Sequence, residues 1–135
     1  MCDDDLASRL NTLFDDGTVW DSAQGRHFLD NPDNLLLVAS WEGQICGFLT
    51  AHRLQRFDAR RAEVLLYEIG VHEDFRQRGV GAALIAAVKC WARDVGADEV
   101  WVLTNVDNTA AMSLYRGTGG EEDVPGTTMF TYPIA

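Results

Sequence analysis

The sequence predicts an α/β fold, one sheet with helices on both faces, and three stretches carry that prediction. Ala62 to Val71 is a near-continuous apolar run, as expected of a central strand buried on both sides. Ala82 to Val95 repeats apolar residues at helical spacing, with Leu84, Ile85, Val88, Trp91, Ala92 and Val95 on one face and a stop at Gly96. Leu35 to Trp41 and Gln44 to Arg53 are strand-like runs joined through Glu42-Gly43, a hairpin signal. A chain of 135 residues suffices for one such domain, spanning residues 1–135.

The remaining elements follow in order. Asp4 to Phe14 reads as a helix with Leu6, Leu10, Leu13 and Phe14 on one side, followed by a turn at Asp16-Gly17. A second helix runs from about Ser22 to Leu29 and is stopped by Asn31-Pro32. After the long helix come a strand from Glu99 to Thr104, a short helix capped by Asn108, and a last strand near Thr128 to Tyr132. Repeats, linkers and low-complexity segments are absent from the sequence.

Composition narrows the class. Hydrophobic content of 47% and charged content of 24% are those of a soluble globular protein. The chain has no apolar run of membrane-spanning length, and its first residues, Met1-Cys2-Asp3-Asp4-Asp5, are acidic where a signal peptide would be basic. Cys2, Cys46 and Cys90 are scattered and odd in number, which reads as reduced thiols in a cytoplasm and no zinc site. His27, His52 and His72 have no ligand spacing, so no metal is expected. A net charge of −10 disfavours nucleic acid as a partner and suits a cationic substrate, although acidity also serves solubility. Two sets of arginines stand out: Arg53, Arg56, Arg60 and Arg61 in one loop region, and Arg76 and Arg78 in a glycine-bearing turn.

That second turn holds the chemistry. Tyr67-Glu68-Ile69-Gly70-Val71 leads into Arg76-Gln77-Arg78-Gly79-Val80-Gly81 and then into the long helix. A strand, a glycine loop and a helix start together form an anion site, because backbone N–H groups can approach a phosphate and the helix dipole favours negative charge. Two arginines suit a pyrophosphate. The turn is neither a G-x-x-x-x-G-K-[ST] loop nor a dinucleotide fingerprint.

The pattern Arg-x-x-Gly-x-Gly resembles the acetyl-CoA pyrophosphate loop of the GNAT N-acetyltransferase superfamily. Asn108-Thr109-Ala110-Ala111-Met112-Ser113-Leu114-Tyr115 resembles that superfamily's Asn-x-x-Ala-x-x-Leu-Tyr signature, at full spacing and in the correct order. More finely, the strand Arg61-Ala62-Glu63-Val64-Leu65-Leu66-Tyr67-Glu68-Ile69-Gly70-Val71, the helix start Gly81-Ala82-Ala83-Leu84-Ile85 and the tail Gly119-Gly120-Glu121-Glu122-Asp123-Val124 are similar to the type I aminoglycoside 3-N-acetyltransferases. Three departures are visible: Tyr-Glu replaces Tyr-Asp at 67 and 68, Pro125-Gly126-Thr127-Thr128 is inserted before the last strand, and the chain opens on a helix where the superfamily has a strand.

The resemblance implies a mixed, mostly antiparallel sheet of about six strands, with a splayed pair of parallel strands holding acetyl-CoA. It implies acetyl transfer to a primary amine of an aminoglycoside at its 3-amino group, a resistance activity, with CoA as product. Under that reading Glu68 is the base, acting directly or through a water. The Val71 N–H polarises the thioester carbonyl and Tyr115 protonates the thiolate. Ile69 and Val71 pair with the pantetheine arm, Arg76, Gln77, Arg78, Gly79, Val80, Gly81 and Ala82 surround the pyrophosphate, and Asn108, Ala111 and Tyr115 complete the cofactor site. Asp21, Glu68, Glu121, Glu122 and Asp123 are the acceptor-side candidates. Other acceptors, namely a polyamine, an amino acid or a protein amine, stay open, as does a silent acyl-CoA-binding module. A sheet edge without the opening strand favours a homodimer.

Overall fold

The computed structural model describes residues 6, 8–10, 21–58, 60–123 and 125–134, and these fall into two compact units, Met1–Leu103 and Thr104–Ala135. In the first unit, Leu6 and residues 8–10 are helical, and Leu10 is fully buried. The rest of the helix expected over Asp4 to Phe14, and the Asp16-Gly17 turn, lie outside the described residues. Helix α1 (Ser22–Asp30) is capped by Asp21, whose Oδ1 accepts from the Gln24 N–H at 2.7 Å. Asn31-Pro32 ends it, and the Asn31 side chain accepts from the Asp33 N–H at 2.9 Å.

Strands β1 (Asn34–Trp41), β2 (Gln44–Leu54), β3 (Ala62–Val71) and β4 (Ala97–Trp101) form a sheet in that order, antiparallel except for the β3–β4 pair. The β1–β2 turn places Glu42 at φ 50° and Gly43 at φ 83°, the positive values that a two-residue hairpin turn needs. Helix α2 (Val80–Asp94) links the parallel pair as a crossover, burying Val80, Leu84, Val88 and Ala92. It ends where Gly96 adopts φ 80° and its N–H bonds to the Arg93 carbonyl.

The core lies between α2 and one face of the sheet. Leu35, Leu37, Leu49, Ala51, Val64 and Leu66 meet the buried residues of α2 there. Gly47 permits the close approach: a Cβ at this position would fall 3.0 Å from the Gly70 carbonyl oxygen and 3.2 Å from Val80 Cγ1. Leu49 is 0% exposed at the centre of this layer. Leu49→Ala is expected to destabilise the fold by about 2–5 kcal/mol, read as a lower denaturant midpoint with unchanged slope. An unchanged midpoint would show that α2 does not depend on this contact.

Among the described residues the sheet has four strands, not the expected six or so. The last strand expected near Thr128 to Tyr132 is irregular, with Met129, Phe130 and Tyr132 exposed at 67%, 79% and 84%. These β-prone residues form no ladder among the described residues, and propensity alone does not make a strand. β4 also begins and ends earlier than the expected Glu99 to Thr104. Its ladder with β3 stops at Leu65↔Trp101, while β3 runs on to Val71. The parallel pair therefore opens after that point.

The end of β2 and the β2–β3 connection hold the first set of arginines. Arg53 Nε donates to the Val95 carbonyl at 2.9 Å and Arg61 Nε to that of Gly96 at 3.3 Å, tying the loop to the end of α2. Arg56 pairs with Glu63 and Asp58, and Arg60 with Asp58. The Arg56 guanidinium holds the Asp58 carboxyl below the usual carboxylate range. These arginines are structural.

The second unit carries α3 (Thr109–Gly117), capped by Asn108, whose side-chain oxygen accepts from the Ala111 N–H at 3.1 Å. The helix closes through the Thr118 hydroxyl, which donates to the Leu114 carbonyl at 2.8 Å, and the Gly120 N–H, which donates to that of Tyr115 at 2.8 Å. No helix among the described residues is long and apolar enough to cross a membrane.

Candidate active site

The β2–β3 register decides where the strand carboxylate points. Thr50 pairs with Glu68 but Ala51 pairs with Leu66, so Tyr67 is the extra residue of a β-bulge. In a regular strand Glu68 would share a face with Val64 and Leu66, against α2. The bulge turns Tyr67 and Glu68 together onto the opposite face and returns Ile69 and Val71 to the α2 side, where both pack against the core. The extra residue also increases local twist, and the β3–β4 ladder stops just before it.

Glu68 is half-buried, and its Oε1 accepts a hydrogen bond from the Thr50 hydroxyl at 3.0 Å. Thr50 is itself 3% exposed, so it is a rigid donor. Glu68 Oε2 has no donor among the described residues. The sequence missed Thr50, because its role depends on cross-strand pairing.

The same register orients the backbone beyond the bulge. The His72 N–H donates to the Cys46 carbonyl at 2.8 Å, which makes Gly47↔Val71 and Leu49↔Ile69 the non-hydrogen-bonded pairs of the ladder. The backbone polar groups of Ile69 and Val71 therefore face away from β2, toward the side that β4 has left. Among the described residues, the N–H groups of both and the Ile69 carbonyl are presented there as an open strand edge, next to the bulge. The Val71 carbonyl accepts from Arg76 Nε at 3.2 Å.

Between β3 and α2 the chain forms a short 3₁₀ turn, Glu73–Phe75, and then the glycine loop. Gln77 has φ 61° and Gly79 φ 81°, two left-handed residues in a turn that starts from an extended Arg76. Turn backbone of this kind can bring successive N–H groups to one concavity. Gly79 starts α2 with no side-chain cap, leaving the first-turn N–H groups of the helix to an external acceptor. The Arg78 guanidinium lies over the Trp41 ring at 5.4 Å and the Phe75 ring at 5.5 Å, so it is oriented before any anion arrives. Arg76, Gln77, Arg78 and Gly79 are exposed, while Val80 is buried as the first anchor of α2. Stacking of Arg78 was not legible, because Trp41 is remote in sequence.

The other expected residues are placed as follows. Asp21 is exposed and caps α1 with one carboxylate oxygen. In the second unit, Ala111 and Tyr115 lie on α3 and Asn108 at its start. Burial pushes the Tyr115 phenol above the ordinary tyrosine range, so it remains a proton donor through neutral and mildly alkaline pH. Glu122 is already engaged: Arg116 Nε donates to its Oε1 at 2.7 Å, and Arg116 Nη2 reaches the same oxygen. Glu121 and Asp123 are exposed.

A bulged strand, a splayed parallel neighbour and a glycine turn at an uncapped helix start form one corner of the first unit. The model of the acetyltransferase (GNAT) family matches residues 5–119. The chain belongs to the GNAT family. Members of this family use acetyl-CoA. The chain is similar to a mycothiol acetyltransferase of Clavibacter sepedonicus, 41% identical over 86 residues that cover 64% of this chain and 26% of that protein. N-acetyltransferase family 8 member 3 of Mus musculus is 28% identical over 79% of this chain and 46% of its own length. The chain thus spans less than half the length of these relatives.

Among solved structures, an aminoglycoside acetyltransferase from a soil metagenomic sample, in complex with sisomicin, superposes with a TM-score of 0.82 at 24% identity, over 95% of this chain and 88% of that one. This likeness bears on the fold. The aminoglycoside N-acetyltransferase AAC(6')-Iy, in complex with the bisubstrate analogue CoA-S-monomethyl-acetylneamine, is 27% identical with a TM-score of 0.76, over 93% of this chain and 86% of that one. A GNAT fold is thereby established for this family member, with four strands in its described sheet.

Proposed function

We propose that this GNAT family member is an N-acetyltransferase that carries acetyl from acetyl-CoA to a primary amine of a cationic small molecule, an aminoglycoside at its 3-amino group. One observation carries the reading: the bulge that exposes Glu68 on one face of β3 also lies beside the free strand edge of Ile69 and Val71 and the nest of Arg76 to Gly81. A base, a thioester-polarising N–H and a pyrophosphate cradle are what this transfer needs.

In the proposed mechanism the pyrophosphate takes the N–H groups of Gln77 to Ala82 and the guanidinium groups of Arg76 and Arg78. The pantetheine amides pair with Ile69 and Val71 as an added strand, with Asn108 and Ala111 contributing from α3. Glu68 takes the proton of the attacking ammonium. The neutral amine adds to the thioester carbonyl, whose developing charge is met by the Val71 N–H. The C–S bond then breaks, Tyr115 gives its proton to the departing thiolate, and the second proton lost by the acylated nitrogen restores the phenol by way of solvent. Asp21, Glu121 and Asp123 are proposed to draw ammonium groups of the acceptor; Glu122 would have to release Arg116 to do so.

Tyr115→Phe is expected to lower kcat by about tenfold, below the roughly 10²–10⁴ typical of a positioned general acid. The small size follows from the leaving group, since a thiol with a pKa near 8.5 needs little help to depart. Steady-state turnover at pH 7 and pH 9 checks it, and a mutant equal to wild type at both would remove Tyr115 from the chemistry.

The reading as a whole is tested by CoA thiol release with gentamicin and neamine, and separately with spermidine, followed by NMR assignment of the acetylated nitrogen. Turnover with the aminoglycosides and acetylation at N3 is the expected result. Acetylation at the 6' amine would keep the substrate class and replace the position. Turnover only with spermidine would discard the antibiotic. A second reading, an acceptor of the kind used by mycothiol acetyltransferases, is favoured by the 41% identical stretch and would give no release with either probe but release with that acceptor. CoA binding without thiol release from any amine would leave a silent acyl-CoA-binding module.

A further inference from the structure

The face of the sheet that bears Glu68 carries a second oriented polar group. His52 lies one same-face position along β2 from Thr50, the residue that holds Glu68, a spacing of about 7 Å. Its surroundings select one state of the ring. Asn34 Nδ2 donates to the Phe28 carbonyl at 2.9 Å, and a carbonyl can only accept, so the amide of Asn34 has one orientation. Its Oδ1 then faces His52 Nδ1 at 2.8 Å, and an amide oxygen likewise can only accept. His52 Nδ1 must carry the hydrogen. In the neutral ring Nε2 is then a bare acceptor, and it has no hydrogen-bond partner among the described residues.

Packing holds the ring in place. Asn34↔His52 is a register pair of β1 and β2, and the ring meets the edges of Phe28 and Tyr67, each at 5.7 Å between centroids. Tyr67 is the bulge residue and is 64% exposed. A purely structural histidine would be satisfied by the Nδ1 bond and the two ring contacts. Here one nitrogen is used to fix the ring, and the other is left on the half-open face that also bears the Glu68 carboxylate.

We propose that His52 Nε2 is an acceptor-binding group of this enzyme, taking a hydrogen bond from an ammonium or hydroxyl group of the amine substrate, with the exposed Tyr67 ring as the adjacent wall. The proposal rests on the acetyltransferase reading above. It makes His52 a residue that orients the acceptor toward Glu68, and the chain Phe28–Asn34–His52 the device by which α1 sets its tautomer.

Asparagine mimics the Nδ1 side of histidine, and glutamine mimics the Nε2 side. His52→Asn can still meet Asn34 Oδ1 but lacks the outward acceptor. It is expected to raise KM for gentamicin about tenfold, with KM for acetyl-CoA and the melting temperature unchanged, and His52→Gln is expected to recover part of the loss. A rise in both KM values, or none, would overturn the proposal. Long-range ¹⁵N NMR of the wild-type protein supplies an independent readout. A protonated Nδ1, a bare Nε2 and a shift of the Nε2 resonance on adding gentamicin are expected. Turnover without movement at Nε2 would sink His52 and spare the acetyltransferase reading. Movement at Nε2 without turnover would do the reverse, and neither signal would reject both.

Discussion

Glu68→Gln is expected to lower kcat with a cationic amine by about 10²–10⁴, the range over which a positioned base contributes, while KM for acetyl-CoA stays near its wild-type value. Gln keeps the size of the side chain and can still accept from the Thr50 hydroxyl, so the bulge and the sheet should survive. What it removes is the ability to take a proton from an ammonium. The sign of the pH dependence follows. As pH rises, a growing fraction of the amine is already neutral, so the deficit of the variant should shrink toward alkaline pH. A deficit independent of pH would make Glu68 an electrostatic anchor rather than a base. Full activity in the variant would remove it from the mechanism. Circular dichroism and initial rates over a pH series make the measurement.

Gly79→Val is expected to raise KM for acetyl-CoA by about 10- to 100-fold with a smaller change in kcat at saturation. Gly79 sits at φ 81°, where a β-branched residue is strained, although a Cβ there would meet nothing within 4 Å. The penalty is therefore conformational rather than steric, and the residue relieves it by leaving the left-handed region. The N–H groups of the nest then diverge. Each charge-assisted bond lost to the pyrophosphate weakens binding by about 1.5–3 kcal/mol, which is the stated fold-change for one such bond. Desulfo-CoA binding measured by calorimetry checks it without turnover. Unchanged affinity would mean that the arginines, rather than the backbone, hold the phosphates. Gly79→Asn, which tolerates the left-handed region, should lie between the two.

Much of this corner was legible in the chain. The boundaries of β3 agree with the apolar run Ala62 to Val71, and α2 stops at Asp94, just before the left-handed Gly96 that was expected to end it. Asn108 caps α3 at the position that its residue type announces. The glycine loop was legible as a candidate anion site because positive φ and an uncapped helix start are local properties, written in Gly79 and in the absence of a capping side chain. Strand number was not legible to the same degree. Thr128 to Tyr132 has strand composition, but a strand exists only where another edge receives it, and composition carries no information about that edge.

The candidate site divides along the same line. By itself the sequence determined which groups are available: a carboxylate at 68, two arginines around a glycine turn, and a capped helix bearing Tyr115. Only the tertiary structure decided where the carboxylate points and what surrounds it. A strand's side chains alternate, and strict alternation would have put Glu68 under α2 with Val64 and Leu66. One unpaired residue, Tyr67, reverses the alternation and brings Glu68 to the open face beside Thr50 and His52. A bulge is a property of two strands in register, so no reading of β3 alone contains it.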